Sequence, residues 1–119
     1  MLLQTVTPIT VLGTTVLFAL FLSVTAHLAA RNVLGDVDPR RALYIGPLPA
    51  VTAIVGVTYA LPEALIVFVA LLLDAAMFAW SYDQPRRLVV GMTVIHAVIT
   101  TLLAIVLFSV TLLLATMPG

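Results

Sequence analysis

The stretch Pro62-Glu63-Ala64-Leu65-Ile66-Val67-Phe68-Val69-Ala70-Leu71-Leu72-Leu73-Asp74-Ala75-Ala76-Met77-Phe78-Ala79-Trp80 decides the fold. Proline tolerates the first helical turn, where its missing N–H has no partner to lose, and an acid there meets the positive end of the helix dipole. The rest is an apolar run broken only by Asp74. Crossing about 30 Å of hydrocarbon takes roughly 20 mostly apolar residues in a helix, and this segment has that length and character.

Three further segments of the same kind surround it, giving predicted spans at about 9–30, 42–60, 62–80 and 88–116. Of the 119 residues, 63% are hydrophobic and 8% charged. Soluble domains carry about 25% charged residues, so this chain cannot coat a water-facing surface. A soluble globular protein, a disordered tail and a nucleic-acid binder with a basic face are all excluded. With no cysteine, a disulfide framework and a thiolate metal site are excluded too. The expectation is one integral membrane domain over 1–119, an all-α four-helix transmembrane bundle running up-down-up-down. No cofactor is expected.

The first segment contains Val24-Thr25-Ala26, which has the small-residue look of a signal cleavage site. No basic residue precedes it, and its apolar run exceeds the roughly 7–15 residues of a signal core, so it reads as a retained helix. The second segment holds Gly46, Pro47, Pro49 and Gly56, which should bend or partly unwind its first half. The fourth is longer than a bilayer requires and should tilt or protrude.

Charge placement gives orientation. Arg31, Arg40 and Arg41 lie in the first loop, Arg86 and Arg87 in the third, and the remaining ends and loop have no basic residue. With four spans all five arginines fall on one side, cytoplasmic by the positive-inside rule, which leaves both termini outside the cell membrane. Those arginines are also candidates for contact with anionic lipid headgroups. Tyr44, Tyr59, Trp80 and Tyr82 fall near predicted helix ends, as an aromatic belt requires. The two arginine loops read Asp38-Pro39-Arg40-Arg41 and Asp83-Gln84-Pro85-Arg86-Arg87, so the chain can also be read as two tandem helical hairpins. The plainer account is that any tight cytoplasmic turn favours proline and arginine.

Asp74 is the residue on which a mechanism can be argued. An ionised carboxylate at bilayer depth costs about 2.5–3.5 kcal/mol on insertion scales, and such residues normally face the bundle interior. The third and fourth spans fold back about Gln84. Asp74 lies ten residues before that point and His96 twelve after it, so both should reach nearly the same depth. His27, near the end of the first span, is a third candidate for the cluster. Either these groups handle a proton or cation, or they form a buried hydrogen bond that fixes helix packing, which is the more common outcome. Two histidines and one carboxylate complete a metal site only in favourable geometry. Glu63 shares a helical face with Asp74, three turns away, but sits at a helix start where capping accounts for it. Small residues four apart (Ala26 and Ala30, Gly56 and Ala60, Ala75 and Ala79) permit close helix approach. Thr14, Thr15, Thr93, Thr100 and Thr101 can bond back to their own helix carbonyls.

The size and four spans look like the small multidrug resistance transporters. Those carry an essential glutamate in the first span; here that span has no acid, so their function is not carried over. The stretch from Ala26-His27-Leu28 through Arg31-Asn32-Val33-Leu34-Gly35-Asp36-Val37, with Arg40-Arg41-Ala42-Leu43 and Gly46-Pro47, resembles small uncharacterised membrane proteins of halophilic archaea. That resemblance implies no activity. No phosphate loop, His-Glu-x-x-His or Gly-x-Ser-x-Gly motif is present. The reading is a non-enzymatic multi-pass membrane protein, a structural or accessory subunit of a homo-oligomer or larger complex. The alternative is a small ion- or proton-coupled transporter or channel using Asp74, His96 and His27.

Overall fold

The computed structural model describes residues 8–118. Met1–Thr7 and Gly119, which entered the charge argument, lie outside the described residues. Helix α1 runs Pro8–Leu34, α2 Pro47–Thr58, α3 Glu63–Tyr82 and α4 Arg86–Thr116, and a 3-10 helix at Pro39–Tyr44 precedes α2. No strand occurs among the described residues. Four stretches, Pro8–Leu34, Pro39–Thr58, Glu63–Tyr82 and Arg86–Thr116, are long and apolar enough to cross a membrane.

Each helix packs on its neighbours in sequence, and α4 closes back onto α1, while the backbones of the diagonal pairs α1–α3 and α2–α4 stay farther apart among the described residues. The result is a four-cornered bundle. Its lengths are unequal. At about 1.5 Å per residue, the 20 residues of α3 reach about 30 Å and the 31 of α4 about 46 Å. The longest dimension of the protein is 48 Å, close to the length of α4 alone.

The break in the second segment falls where its glycine and prolines stand. Asp38 opens the 3-10 helix by accepting the Arg40 N–H at 3.0 Å, and the helix ends at Tyr44. A new helix starts at Pro47, so both Pro47 and Pro49 occupy its first turn, where they break no hydrogen bond. Gly46 is needed at this joint for space. A Cβ there would run into the Ala19 carbonyl oxygen and the Ser23 hydroxyl, and would lie 2.8 Å from the Ser23 nitrogen.

The two arginine loops differ in conformation despite their similar sequences. Asp38 caps the 3-10 helix from an extended backbone. Asp83 ends α3 with φ 50°, in the left-handed region that aspartate tolerates better than most residues. The loops are tied together: the Arg41 guanidinium donates to the Ser81 carbonyl, and the Ser81 hydroxyl donates to the Arg41 carbonyl at 2.8 Å.

The core lies at this arginine end. Ala26, Ala29, Ala30, Ala42, Ile45, Phe78, Tyr82, Val89 and Met92 are buried there together. Alanines on α1 let the neighbouring elements approach closely, as their spacing suggests. Tyr82 departs from the aromatic-belt expectation, being only 5% exposed and packed against Phe78 with ring centroids 5.7 Å apart. Tyr44, Tyr59 and Trp80 are exposed, and Tyr44 meets Trp80 edge to face at 5.4 Å. Glu63 occupies the first turn of α3, exposed, while Pro62 is the cap residue and no side chain caps the helix. Glu63 therefore acts at this end through its charge and not through a capping bond.

Candidate functional site

Asp74 stands midway along α3 and His96 ten residues into α4, and both face the bundle interior, 5% and 3% exposed. His96 Nδ1 and Asp74 Oδ2 lie 2.5 Å apart, a contact that requires a proton between them. Asp74 Oδ1 is buried with no hydrogen-bond partner.

The third member of the cluster comes from α1 and is Thr25, fully buried. Its hydroxyl oxygen lies 2.7 Å from His96 Nε2 and its proton goes to the Leu22 carbonyl at 3.0 Å. The same carbonyl lies 3.0 Å from His96 Nε2. Thr100, one turn beyond His96 on α4, donates to Thr25 Oγ1 at 3.0 Å. Phe78 stands edge to face with the His96 ring, centroids 5.6 Å apart. Three helices, α1, α3 and α4, are thus joined at one level by a single hydrogen-bonded chain.

His27 is not part of it. Two residues along a helix is a rotation of about 200°, so with Thr25 facing α4, His27 is turned away. It lines a separate hollow with Leu20, Ser23, Pro39 and Arg40, and its Nδ1 is buried without a partner. The place expected for a second histidine is taken by a threonine hydroxyl. The reading of Thr100 as bonded to its own helix also changes, since Thr100 reaches across to α1. Thr15 and Thr93 do bond back, to the Val11 and Val89 carbonyls. No hydrogen-bond signal in the sequence separates Thr25 from the other threonines.

On the side of Asp74 away from the arginine end lies an open hollow of about 260 Å³. All four helices line it: Phe18 and Leu22 from α1, Pro49 and Ala53 from α2, Ile66, Val67, Ala70 and Asp74 from α3, His96 and Thr100 from α4. Its polar surface comes from the Asp74–His96 level and the threonines, and the rest is hydrocarbon. No group of three or more His, Asp or Glu side chains among the described residues can hold a metal ion. Chemically the site offers one proton-sharing pair, a fixed hydroxyl chain beside it and one buried acceptor oxygen without a partner.

The five arginines flank the opposite end. Arg31, Arg86 and Arg87 are exposed, Arg40 pairs with Asp38 at 3.0 Å, and Arg41 clasps the end of α3. The bond from Arg40 holds the Asp38 carboxyl below its ordinary range.

The chain belongs to a family of unknown function, DUF7473, whose family model matches residues 5–118. No curated protein and no solved structure matches it.

Proposed function

We propose that this family member is a non-enzymatic multi-pass protein of the cell membrane, a structural or accessory subunit of a homo-oligomer or larger membrane assembly. The arginine end is cytoplasmic in this reading and both chain ends are outside. The single observation that supports it most is the uncovered far half of the bundle. Away from the arginine end, α4 has Leu102, Ile105, Leu107, Phe108, Leu112, Leu113 and Leu114 all exposed, and α1 exposes Ile9, Leu12, Leu17 and Leu20. Lipid covers part of this surface. A helix longer than the bilayer is thick tilts, protrudes or packs against another helix. The likeness of residues 26–47 to small membrane proteins of halophilic archaea belongs to the same reading.

Native mass spectrometry of protein extracted in lipid nanodiscs tests it. A fixed multiple of the chain, or a partner at fixed stoichiometry, is expected. A monomer at all lipid-to-protein ratios refutes it. Cysteines placed at Thr5 and Pro118 should be labelled from outside intact cells, and labelling only after permeabilisation reverses the orientation.

One observation favours a second role, that of a small proton- or ion-coupled transporter or channel. It is the buried carboxyl of Asp74, with Oδ1 unpartnered, on a residue that lines a hollow shared by all four helices. Flux driven by a pH gradient in reconstituted vesicles, lost in Asp74→Asn with the fold retained, is the expected result for that role. No flux under any gradient removes it.

A further inference from the structure

One face of α1 changes character along its length. Val16, Leu20 and Val24 give way to His27 and then Arg31, each three or four residues after the last. Such spacing keeps all five on one side of the helix, so the stripe runs from hydrocarbon to imidazole to guanidinium as it nears the arginine end. Val16, Leu20 and Val24 are about half exposed, and so are Leu43 and Val51 of the second segment, which stand across from them. Between these walls lie two open hollows that share Leu20, Ser23 and Leu43. One reaches Thr15 and Val16, the other His27 and Arg40. Together they form one groove along the outside of the bundle. Ser23 is buried where they join, at the place where Gly46 brings the second segment against α1. Thr15 donates its hydroxyl to the Val11 carbonyl, so the far end of the groove is effectively apolar.

From Val16 to His27 the groove follows about 16 Å of helix, which is close to the depth of one leaflet, half of about 30 Å of hydrocarbon. Its head end is cationic. Arg31 is exposed and makes no ion pair among the described residues. Arg40 is exposed and holds Asp38 through Nε and Nη2, which leaves Nη1 to bond elsewhere. His27 lines the hollow; its Nδ1 is enclosed, while Nε2 makes no hydrogen bond and keeps accessible surface, so Nε2 is the atom that can share a proton with a bound group. Arg31, Arg40 and Arg41 outnumber Asp36 and Asp38 in this loop, so an anion meets net positive charge there. A second copy packed on this face about a two-fold axis along the membrane normal would set Arg31 against Arg31, which like charge opposes.

We propose that this groove holds one anionic lipid from the leaflet at the arginine end, its phosphate at Arg31, Arg40 and His27 and one hydrocarbon chain along Val24, Leu20 and Val16. The open side of the groove suits this occupant, because the rest of the lipid continues into the bilayer. The assignment is to one loop only: Arg86 and Arg87 stand at the same end of the bundle but line neither hollow. The inference rests on the membrane placement proposed above and is independent of the subunit and transport roles.

The full chain is reconstituted in nanodiscs holding equal amounts of phosphatidylglycerol and phosphatidylcholine with identical chains, and the lipids retained on the released protein are counted by native mass spectrometry. One phosphatidylglycerol per chain should be retained, favoured roughly tenfold over phosphatidylcholine, the usual size of one hydrogen bond to a charged group. Arg31→Gln with Arg40→Gln should remove the preference. Arg86→Gln with Arg87→Gln, the same change of charge in the other loop, should leave it. Val24→Trp, which fills the groove from an exposed position, should lower retention with every arginine in place. Glycerol 3-phosphate, a headgroup without chains, should not displace the lipid. Equal retention of the two lipids overturns the headgroup site, and equal losses in the two arginine pairs overturn its location. Undiminished retention in Val24→Trp overturns the groove, and displacement by glycerol 3-phosphate overturns the need for a chain. Disulfide joining of two copies through Val24→Cys, in a chain with no other cysteine, overturns the lipid as occupant. A chain that stays out of the nanodisc overturns the membrane placement as well, whereas one that enters and shows no preference overturns this site alone.

Discussion

His96 should matter more to stability than Asp74, although the two share one hydrogen bond. His96→Ala leaves both Asp74 oxygens without a protein partner, where now only Oδ1 lacks one. A buried polar atom left in that state costs about 1–3 kcal/mol. The change also removes the edge-to-face contact with Phe78, worth about 0.5–1.5 kcal/mol, and leaves a void where a ring stood. Together these come to about 3–5 kcal/mol, the range of large buried truncations. Asp74→Ala strips the partner from His96 Nδ1, about 1–3 kcal/mol again, but it also deletes the unsatisfied Oδ1, which offsets much of that. A net loss of about 1 kcal/mol is expected. The double variant measures the coupling of the pair. Interhelical polar contacts in membranes average about 0.6 kcal/mol and reach about 1.7, and this short, buried contact should lie at the upper end. Unfolding by steric trapping in lipid bicelles gives all four corners of the cycle. The reasoning is refuted if Asp74→Ala destabilises as much as His96→Ala, or if the coupling falls below the membrane average.

Thr25→Val should disconnect α1 from His96 and lower stability by about 1–2 kcal/mol, with Thr25→Ser restoring most of it, both read by the same unfolding assay. Gly46→Ala should be the most damaging glycine substitution, about 3 kcal/mol or more, because the added methyl meets backbone of α1 that cannot move aside. Gly13→Ala and Gly91→Ala meet nothing within 4 Å and should be neutral or stabilise by at most about 1 kcal/mol, so equal losses at all three positions would contradict the close α1–α2 joint. The Asp38 carboxyl, followed by ¹³C NMR, should titrate below 3.8, its bond to Arg40 being the main cause, and Arg40→Gln should return it to the ordinary range. Because the folded value is the lowered one, the linked stabilisation is present above about 3.8 and fades as the pH falls through the folded value.

Helix number and the depth of Asp74 and His96 were readable because both depend on counting. Segment length follows from rise per residue, and a short turn at Gln84 fixes which residues of α3 and α4 share a level. The His96–Asp74 contact is what such a count implies. Rotation about the helix axis is another matter. Helix α1 is apolar on every side, so no polar stripe shows which face turns inward. Depth alone therefore could not choose between His27 and Thr25, which differ by about 200°. The same blindness misplaced Tyr82: nearness to a helix end suggested an interfacial ring, whereas its face of α3 is the one packed on Phe78 and the arginine-end core. The joint at Gly46 was half legible. Its glycine and prolines announced a break, but only the approach of Ala19 and Ser23 shows why a side chain has no room there.

Where the cavity lies follows from the unequal partners of α1 and α4. At the arginine end every helix has neighbours at close range, because alanines on α1 and the clasp between Arg41 and Ser81 draw the two loops together. Toward the other end α2 stops after 12 residues, about 18 Å, and α3 turns at Glu63, so α1 and α4 continue with fewer side chains between them. Interhelical space must open somewhere along that taper. Asp74, His96, Thr25 and Thr100 sit at the level where the packed end gives way to the open one. Asp74 Oδ1 is buried at this level without a partner. Farther out, the pair would be wetted and its geometry would not be held by Phe78 and Leu22. The bundle thus sets a buried proton-sharing pair at the boundary between its packed end and an open hollow lined by all four helices.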